Sequence, residues 1–435
     1  MRDPRGGTTL TESQVIRAFH DPPRSDDFLY SAVARQLVAT GRLVDYQFID
    51  ERTLVSPRIP FVTYPFEWSD AQFVDAARLT LDVSEAALTM AHELKDGSAW
   101  NVVFDGCRPV FCDHTSFMPI ERRQWWAFGQ FVRHFVLPLC LSRFRGLHAR
   151  TAFLSSRDGW QPDQARQAFG ARRFLTRYWP LLISVRRSNV PAIRATSVVA
   201  LGATLHSNLY AFSRWLLDGL ARPRVTSSDW ASYSATCRSY NIATVEIKRA
   251  TIARWLDFIR PKLVLDLGCN TGEYSKIAGA AGASVIAVDS DHDSVEQMYR
   301  DFRGSPGISP VVADLDDLGG SRGWMNEEFP SLITRLAGLP DAVLMLALIH
   351  HLAISRSVPY NNIARLAHRL TKRYLVVEFV GATDPMVLSL ATQRNREPAE
   401  FTLQGQFEAF ARWFSIVDRL ELLDDKRVLV LLERK

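Results

Sequence analysis

A chain of 435 residues, 47% hydrophobic and 23% charged, is too long for one ordinary domain. It carries enough apolar side chains for two soluble cores, which excludes a disordered tail, a coiled coil or a collagen-like fibre. The formal net charge of +5 hides an asymmetry, because residues 121–200 hold 14 Arg against 3 acidic residues, net +11, and leave the remainder at −6.

Reading from the start, Met1 to Thr11 mixes Arg, Asp, Pro and Gly without an apolar run, so no signal peptide is expected. Residues 1–40 read as an N-terminal extension with helices over Glu12–Phe19 and Asp27–Thr40. Residues 41–221 read as an α+β, helix-rich domain. In it Val44–Ile49 and Arg58–Tyr64 are expected as strands and Asp70–Lys95 as a long helix. Asn101–Phe104 and Pro109–Cys112 form a hairpin around Asp105-Gly106, a favourable turn pair. Trp125–Ser155, Asp163–Ala168, Arg172–Ile183 and Leu205–Ala221 carry helical, aromatic-rich patterns.

The most apolar stretch of this region, Phe131–Leu141, is broken by Arg133 and His134 and is shorter than the roughly 20 residues a membrane span needs. No transmembrane segment is expected, and contact with a membrane surface stays open. The five cysteines, Cys107, Cys112, Cys140, Cys237 and Cys269, form no CxxC pair. They read as free thiols in a reducing, cytoplasmic setting, with no metal site. The arginine excess admits two readings: steering of an anionic partner such as RNA, a phosphorylated sugar or acidic lipid, or a solvated helical surface docked on the acidic remainder.

A polar linker, residues 222–241, ends the helical region, and from 242 to 435 strands and helices alternate as in an open parallel sheet. Its sharpest motif is Val264-Leu265-Asp266-Leu267-Gly268-Cys269-Asn270-Thr271-Gly272, a buried-strand run entering a glycine-rich turn, followed by a helix over Glu273–Ala281. Glycines there let the backbone approach a ligand that a Cβ would block, at the sheet edge where open α/β folds bind ligands. Further strands are expected at Ser284–Val288, ending in Asp289; Ile308–Ala313, ending in Asp314; Asp341–Ala347; and Arg373–Val377. Phe414–Leu420 and Arg427–Leu432 close the domain as a hairpin, giving seven strands with a reversed last one. A dinucleotide-binding G-x-G-x-x-G is absent, since Asn270 stands where its middle glycine belongs.

This stretch resembles the class I S-adenosylmethionine (SAM)-dependent methyltransferases, a Rossmann-like α/β fold. The resemblance implies SAM as cofactor, with Asp266, Gly268, Cys269, Asn270 and Gly272 around its methionine portion. Asp289 with Ser290 would hold the ribose, Asp314 with Leu315 would flank the adenine, and Ala347 to His350 would line the methyl-transfer face. An oxygen nucleophile can need a base, and His350, His351 and Glu378 are the candidates at that edge; the competing reading is that all three are structural. Trp230, Tyr233, Tyr240 and Lys248 occupy the segment before the first strand, where such enzymes often carry a lid; core packing is the other reading for the aromatics.

In the N-terminal half, Asp96, Asn101 and Asp113 around the short hairpin resemble the catalytic loop of protein kinases and aminoglycoside phosphotransferases. That resemblance would give Asp96 a hydroxyl to orient and Asn101 and Asp113 a magnesium ion. The departures are marked: no glycine-rich loop, no Val-Ala-x-Lys strand, Lys95 before the Asp, and His114-Thr115 after the second Asp. A degenerate kinase-like scaffold or unrelated turns fit better than active phosphotransfer. Taken whole, with the segment Tyr64 to Ser69, the chain resembles the two-part rhizobial NoeA-like nodulation proteins. That likeness implies a cytoplasmic enzyme methylating an oxygen or nitrogen of a small molecule or saccharide precursor. Two alternatives remain at this level: an RNA methyltransferase gripping nucleic acid with the basic middle region, and a non-catalytic SAM-binding regulatory protein.

Overall fold

The computed structural model describes residues 6–23, 27–121, 124–171, 177–178, 181, 198–221, 242–423 and 426–435. The chain divides into two compact units, Met1–Val225 and Thr226–Lys435.

In the first unit, β1 (Gly6–Leu10), β2 (Gln14–Phe19), β3 (Gln47–Phe48) and β4 (Thr53–Pro57) form a sheet in the order β1-β2-β4-β3, all pairs antiparallel. The helix expected at Glu12–Phe19 is therefore a strand. Val15 and Ile16 suit a pleat, and Gln14–Ala18 pairs with Thr53–Pro57, a partner some forty residues away that local pattern cannot reveal. Residues read as an extension thus belong to this sheet. The strand expected at Arg58–Tyr64 lies earlier, at β4, and Pro60 and Pro65 flank an irregular segment that cannot donate regularly to a ladder. The helix Ala32–Ala39 starts at Ser31, whose side chain accepts from the Ala34 N–H.

The long helix ends at Leu88, short of the expected Lys95. Ala91 turns the chain with φ +56, and β5 (His92–Leu94) then pairs with β8 (Phe117–Pro119). Between them β6 (Val102–Asp105) and β7 (Arg108–Phe111) make the expected hairpin, with Gly106 at φ +63. The continuous helix expected over Trp125–Ser155 is broken into Phe128–Phe131, a π-helical turn Val132–Val136, Leu137–Arg145 and Thr151–Ser155. Gly146, left-handed at φ +76, caps the third piece. Most of Arg172–Ile183, and the lid residues Trp230, Tyr233 and Tyr240, lie outside the described residues. Among the described residues no helix is long and apolar enough to cross a membrane.

The second unit carries β9 (Leu263–Leu267), β10 (Ser284–Asp289), β11 (Ile308–Val312), β12 (Ala342–Met345), β13 (Tyr374–Val380), β14 (Phe414–Leu423) and β15 (Arg427–Arg434). Their order is β11-β10-β9-β12-β13-β15-β14. The pairs from β11 to β13 are parallel, and β15 runs antiparallel to both neighbours. β11, β12 and β13 are buried at every position, as expected of parallel strands covered on both faces, whose sequences read as continuous apolar runs. On one face Val264, Val285, Leu344, Val376 and Leu429 pack with Ile252, Trp255 and Leu256 of the helix Ile242–Ile259. Because β9 lies between β10 and β12, the order of crossovers reverses beside it. The carboxyl ends of these strands face a crevice there.

Candidate active site

A cavity of about 600 Å³ opens at that edge. Its floor is the turn after β9. Gly268 and Gly272 have φ of +72 and +84, and a Cβ built on them would come within 3.2 Å of Leu348 and 2.8 Å of Met298. The non-glycine Asn270 is also left-handed, at φ +50. The turn is pinned from β10: Asp289 accepts from the Asn270 N–H through Oδ2 and from the Asp291 N–H through Oδ1, both at 2.8 Å. Each carboxylate oxygen has a second lone-pair direction, so Asp289 can hold the turn and still accept from a ligand hydroxyl. Burial raises its pKa.

Asp266, on β9, is 2% exposed. It accepts from the Ser275 hydroxyl at 2.6 Å, and burial pushes its pKa up to about 6. Cys269 lines the cavity as a buried thiol, its pKa driven well above the usual range by burial. Ser290, Asp314, Leu315 and Ala347 also reach the wall. Asp314 is held by Arg356 at 2.9 Å; burial, aided by neighbouring Asp316, raises its pKa all the same.

The base candidates separate. His351 lines the cavity, and burial lowers its pKa to about 4. His350 packs against it with ring centroids 4.3 Å apart and planes tilted by 42°, is 1% exposed and is absent from the cavity wall. Burial holds its pKa well below that of an ordinary imidazole. Glu378 is fully buried and does not reach the cavity; it is ion-paired with Lys248 at 2.6 Å and Arg427 at 3.0 Å. Leu348, within the expected stretch Ala347 to His350, lines the wall, and sequence reasoning missed Tyr274, Leu352, Arg356 and Arg394, which line it too. Leu348, Leu352 and Arg356 follow β12 within and around a π-helical turn, His351–Ser355, which periodicity does not announce.

In the first unit the kinase-like trio is spread over separate local roles. Asp113 caps the turn His114–Ser116 through Thr115 and lies 3.7 Å from the buried Arg17. Asn101 closes a short turn before β6 and is 8% exposed. The Asp96 N–H faces the Ser116 hydroxyl at 3.4 Å.

A sheet with one reversed strand next to its far edge, a turn at two positive-φ glycines, and carboxylates at the carboxyl ends of β9, β10 and β11 are the arrangement that the sequence's resemblance to the class I SAM-dependent methyltransferases implies. Among particular proteins, the chain is 26% identical to Nodulation protein NoeA of Rhizobium meliloti (strain 1021) over 460 aligned positions, 100% of this chain and 95% of the relative. No family model matches the sequence. Among solved structures, the N-methyltransferase NodS from Bradyrhizobium japonicum WM9 is similar at 11% identity and TM-score 0.33, over 45% of this chain and 98% of that one. The magnesium protoporphyrin IX methyltransferase ChlM from Synechocystis PCC 6803 with bound SAH is similar at 16% identity and TM-score 0.34, over 48% and 93%.

Proposed function

We propose that this protein transfers the methyl group of SAM to an oxygen or nitrogen of a small molecule or saccharide precursor, in the context of nodulation. The observation that carries the reading is the cavity at the β9–β12 edge, where the Asn270 N–H of the turn Gly268–Gly272 donates to the Asp289 carboxylate. The nodulation context rests on the full-length similarity to NoeA.

The cofactor supplies an activated methyl on a sulfonium. The protein's work is then to align and to exclude water. Asp289 would accept from the ribose hydroxyls, with Ser290 beside it. Asp314 and Leu315 would flank the adenine, and Asp266 with the turn of Gly268, Cys269, Asn270 and Gly272 would hold the methionine portion. Ala347 and His351 border the acceptor side. With a pKa near 4, His351 is a neutral imidazole at neutral pH, able to accept a hydrogen bond from the acceptor. His350 and Glu378, behind the wall, support the pocket and touch no reactant.

Calorimetry with SAM and its demethylated product tests the site directly. Binding to the intact protein is expected, and Asp289→Ala should weaken it about 10- to 100-fold, the value of a hydrogen bond to a charged group together with a loosened turn. No heat with either ligand, or an unchanged affinity in the variant, would refute the assignment. Labelled SAM with a metabolite extract then identifies the acceptor.

A further inference from the structure

Among the described residues four cations line the cavity, and three of them already face carboxylates. Lys248 sits 2.6 Å from Glu378, Arg249 is paired with Glu246 and Glu273, and Arg356 with Asp314 and Asp316. Arg394 is the fourth. It is exposed, and its guanidinium has neither an ion-pair nor a hydrogen-bond partner among the described residues. Glu400, nearby in the chain, is held by Arg396 instead.

The fold fixes where this cation stands. The helix Pro385–Gln393 packs on the π-helical turn His351–Ser355. Arg394 follows that helix directly, its N–H donating to the Leu390 and Ala391 carbonyls, both at 3.1 Å, and Asn395, at φ +50, then turns the chain. The π-helical turn contributes His351, Leu352 and Ser355 to the same cavity. The half-buried Ser355 hydroxyl also makes no hydrogen bond among the described residues. A guanidinium presents a planar fork of donors that matches a carboxylate or a phosphate. The three paired cations would have to release an internal partner to take a ligand anion, and Arg394 would not. On the methyltransferase reading the cofactor lies against the glycine turn, Asp289 and Asp314, which leaves His351, Ser355 and Arg394 to the acceptor.

We infer that Arg394, aided by the Ser355 hydroxyl, determines specificity for an acceptor that carries an oxyanion, a carboxylate or phosphate group remote from the atom that takes the methyl. The inference rests on the methyltransferase reading above and names the substrate class of that same site. Anchoring the anion at Arg394 orients the rest of the acceptor toward the wall at Leu348 and His351, where alignment with the methyl is the protein's contribution.

The test uses the full-length protein, SAM labelled in its methyl group, and an extract of small metabolites divided on anion-exchange resin into retained and unretained fractions. Label is expected in molecules of the retained fraction. Pretreating that fraction with alkaline phosphatase should abolish transfer to a phosphate ester, and amidating it with a carbodiimide should abolish transfer to a carboxylate, which distinguishes the two sources. On the acceptor so found, Arg394→Gln should raise KM about 5- to 20-fold and leave kcat within about twofold, as suits a charge-assisted contact at a partly solvated position. S-adenosylhomocysteine should bind this variant as it binds the intact protein, and Arg394→Lys should restore part of the lost KM. A guanidinium that only stabilises the end of its helix would leave KM unchanged when removed, and that result would overturn the inference. So would labelled product absent from the retained fraction while S-adenosylhomocysteine binds normally, or a loss of S-adenosylhomocysteine affinity in Arg394→Gln equal to the rise in KM. If the intact protein does not bind S-adenosylhomocysteine, the methyltransferase reading itself falls, and this inference with it.

Discussion

Removing Arg427 is the most demanding test of the second unit's architecture. Its guanidinium is completely buried and donates to Asp384 at 2.7 and 3.0 Å and to Glu378 at 3.0 Å. Asp384 in turn caps the helix Pro385–Gln393 through the Met386 N–H. Arg427→Met keeps much of the volume but takes the guanidinium away from both Asp384 and Glu378. Breaking a buried pair by removing one partner costs roughly 3–5 kcal/mol, because the remaining charge stays out of water uncompensated. In a unit of this size, 1 kcal/mol moves the midpoint by roughly 2–4 °C, so a fall of roughly 6–20 °C is expected in the full chain's thermal transition.

Urea unfolding of the variant, followed by tryptophan fluorescence, gives the free energy directly. Adding Asp384→Asn should recover part of the loss, since the double variant no longer buries an unpaired carboxylate. A loss below about 1 kcal/mol, the scale of an exposed pair, would refute the buried network. So would a double variant less stable than the sum of the singles.

Two further outcomes follow from the cavity's titrating groups. Asp266 has its pKa raised by burial to about 6, and a cationic ligand group favours its ionised form; affinity for S-adenosylhomocysteine should therefore rise with pH up to about 6 and level off above it. An affinity flat from pH 5 to 7, measured calorimetrically, would separate Asp266 from the ligand. His351→Ala should leave cofactor affinity within about twofold while lowering turnover on an identified acceptor, whereas His350→Ala, behind the wall, should act on stability first; equal kinetic effects of the two would contradict their separation.

What could be read from the sequence and what could not divide along one physical line. β11, β12 and β13 are buried on both faces, so each appears as an uninterrupted apolar run whatever its neighbours do. The turn after β9 needs backbone conformations that glycine supplies, and Gly268 and Gly272 announce it. By contrast the Lys248–Glu378 pair joins residues 130 positions apart, and Arg427 meets Glu378 across 49. Each of these residues looks, in sequence, like an ordinary surface charge or a free base. Glu378 was a reasonable base candidate on position alone; only the two cations packed against it reveal a different role. In the first unit the strand β2 reads locally as a helix for the same reason, since its five-pair ladder to β4 is non-local. The end of the long helix at Leu88 is not marked in the sequence, because Ala91 turns the chain without a glycine or proline.

The same electrostatics bear on how methyl transfer would be promoted. A base is effective when its pKa lies near the working pH, yet His351, the histidine that borders the cavity, has been lowered to about 4. It would hold a proton taken from an acceptor poorly. Asp266 lies closer to neutrality, but it faces the glycine turn and is engaged by Ser275. The wall is better furnished for fixing a ligand than for removing protons: a turn clamped by Asp289, a lysine backed by Glu378, an Asp314 held by Arg356. Because the sulfonium methyl is already activated, rigid alignment of the acceptor is the contribution such a wall can make. An acceptor atom that is nucleophilic without losing a proton first, such as a neutral amine, suits this chemistry better than an unassisted hydroxyl.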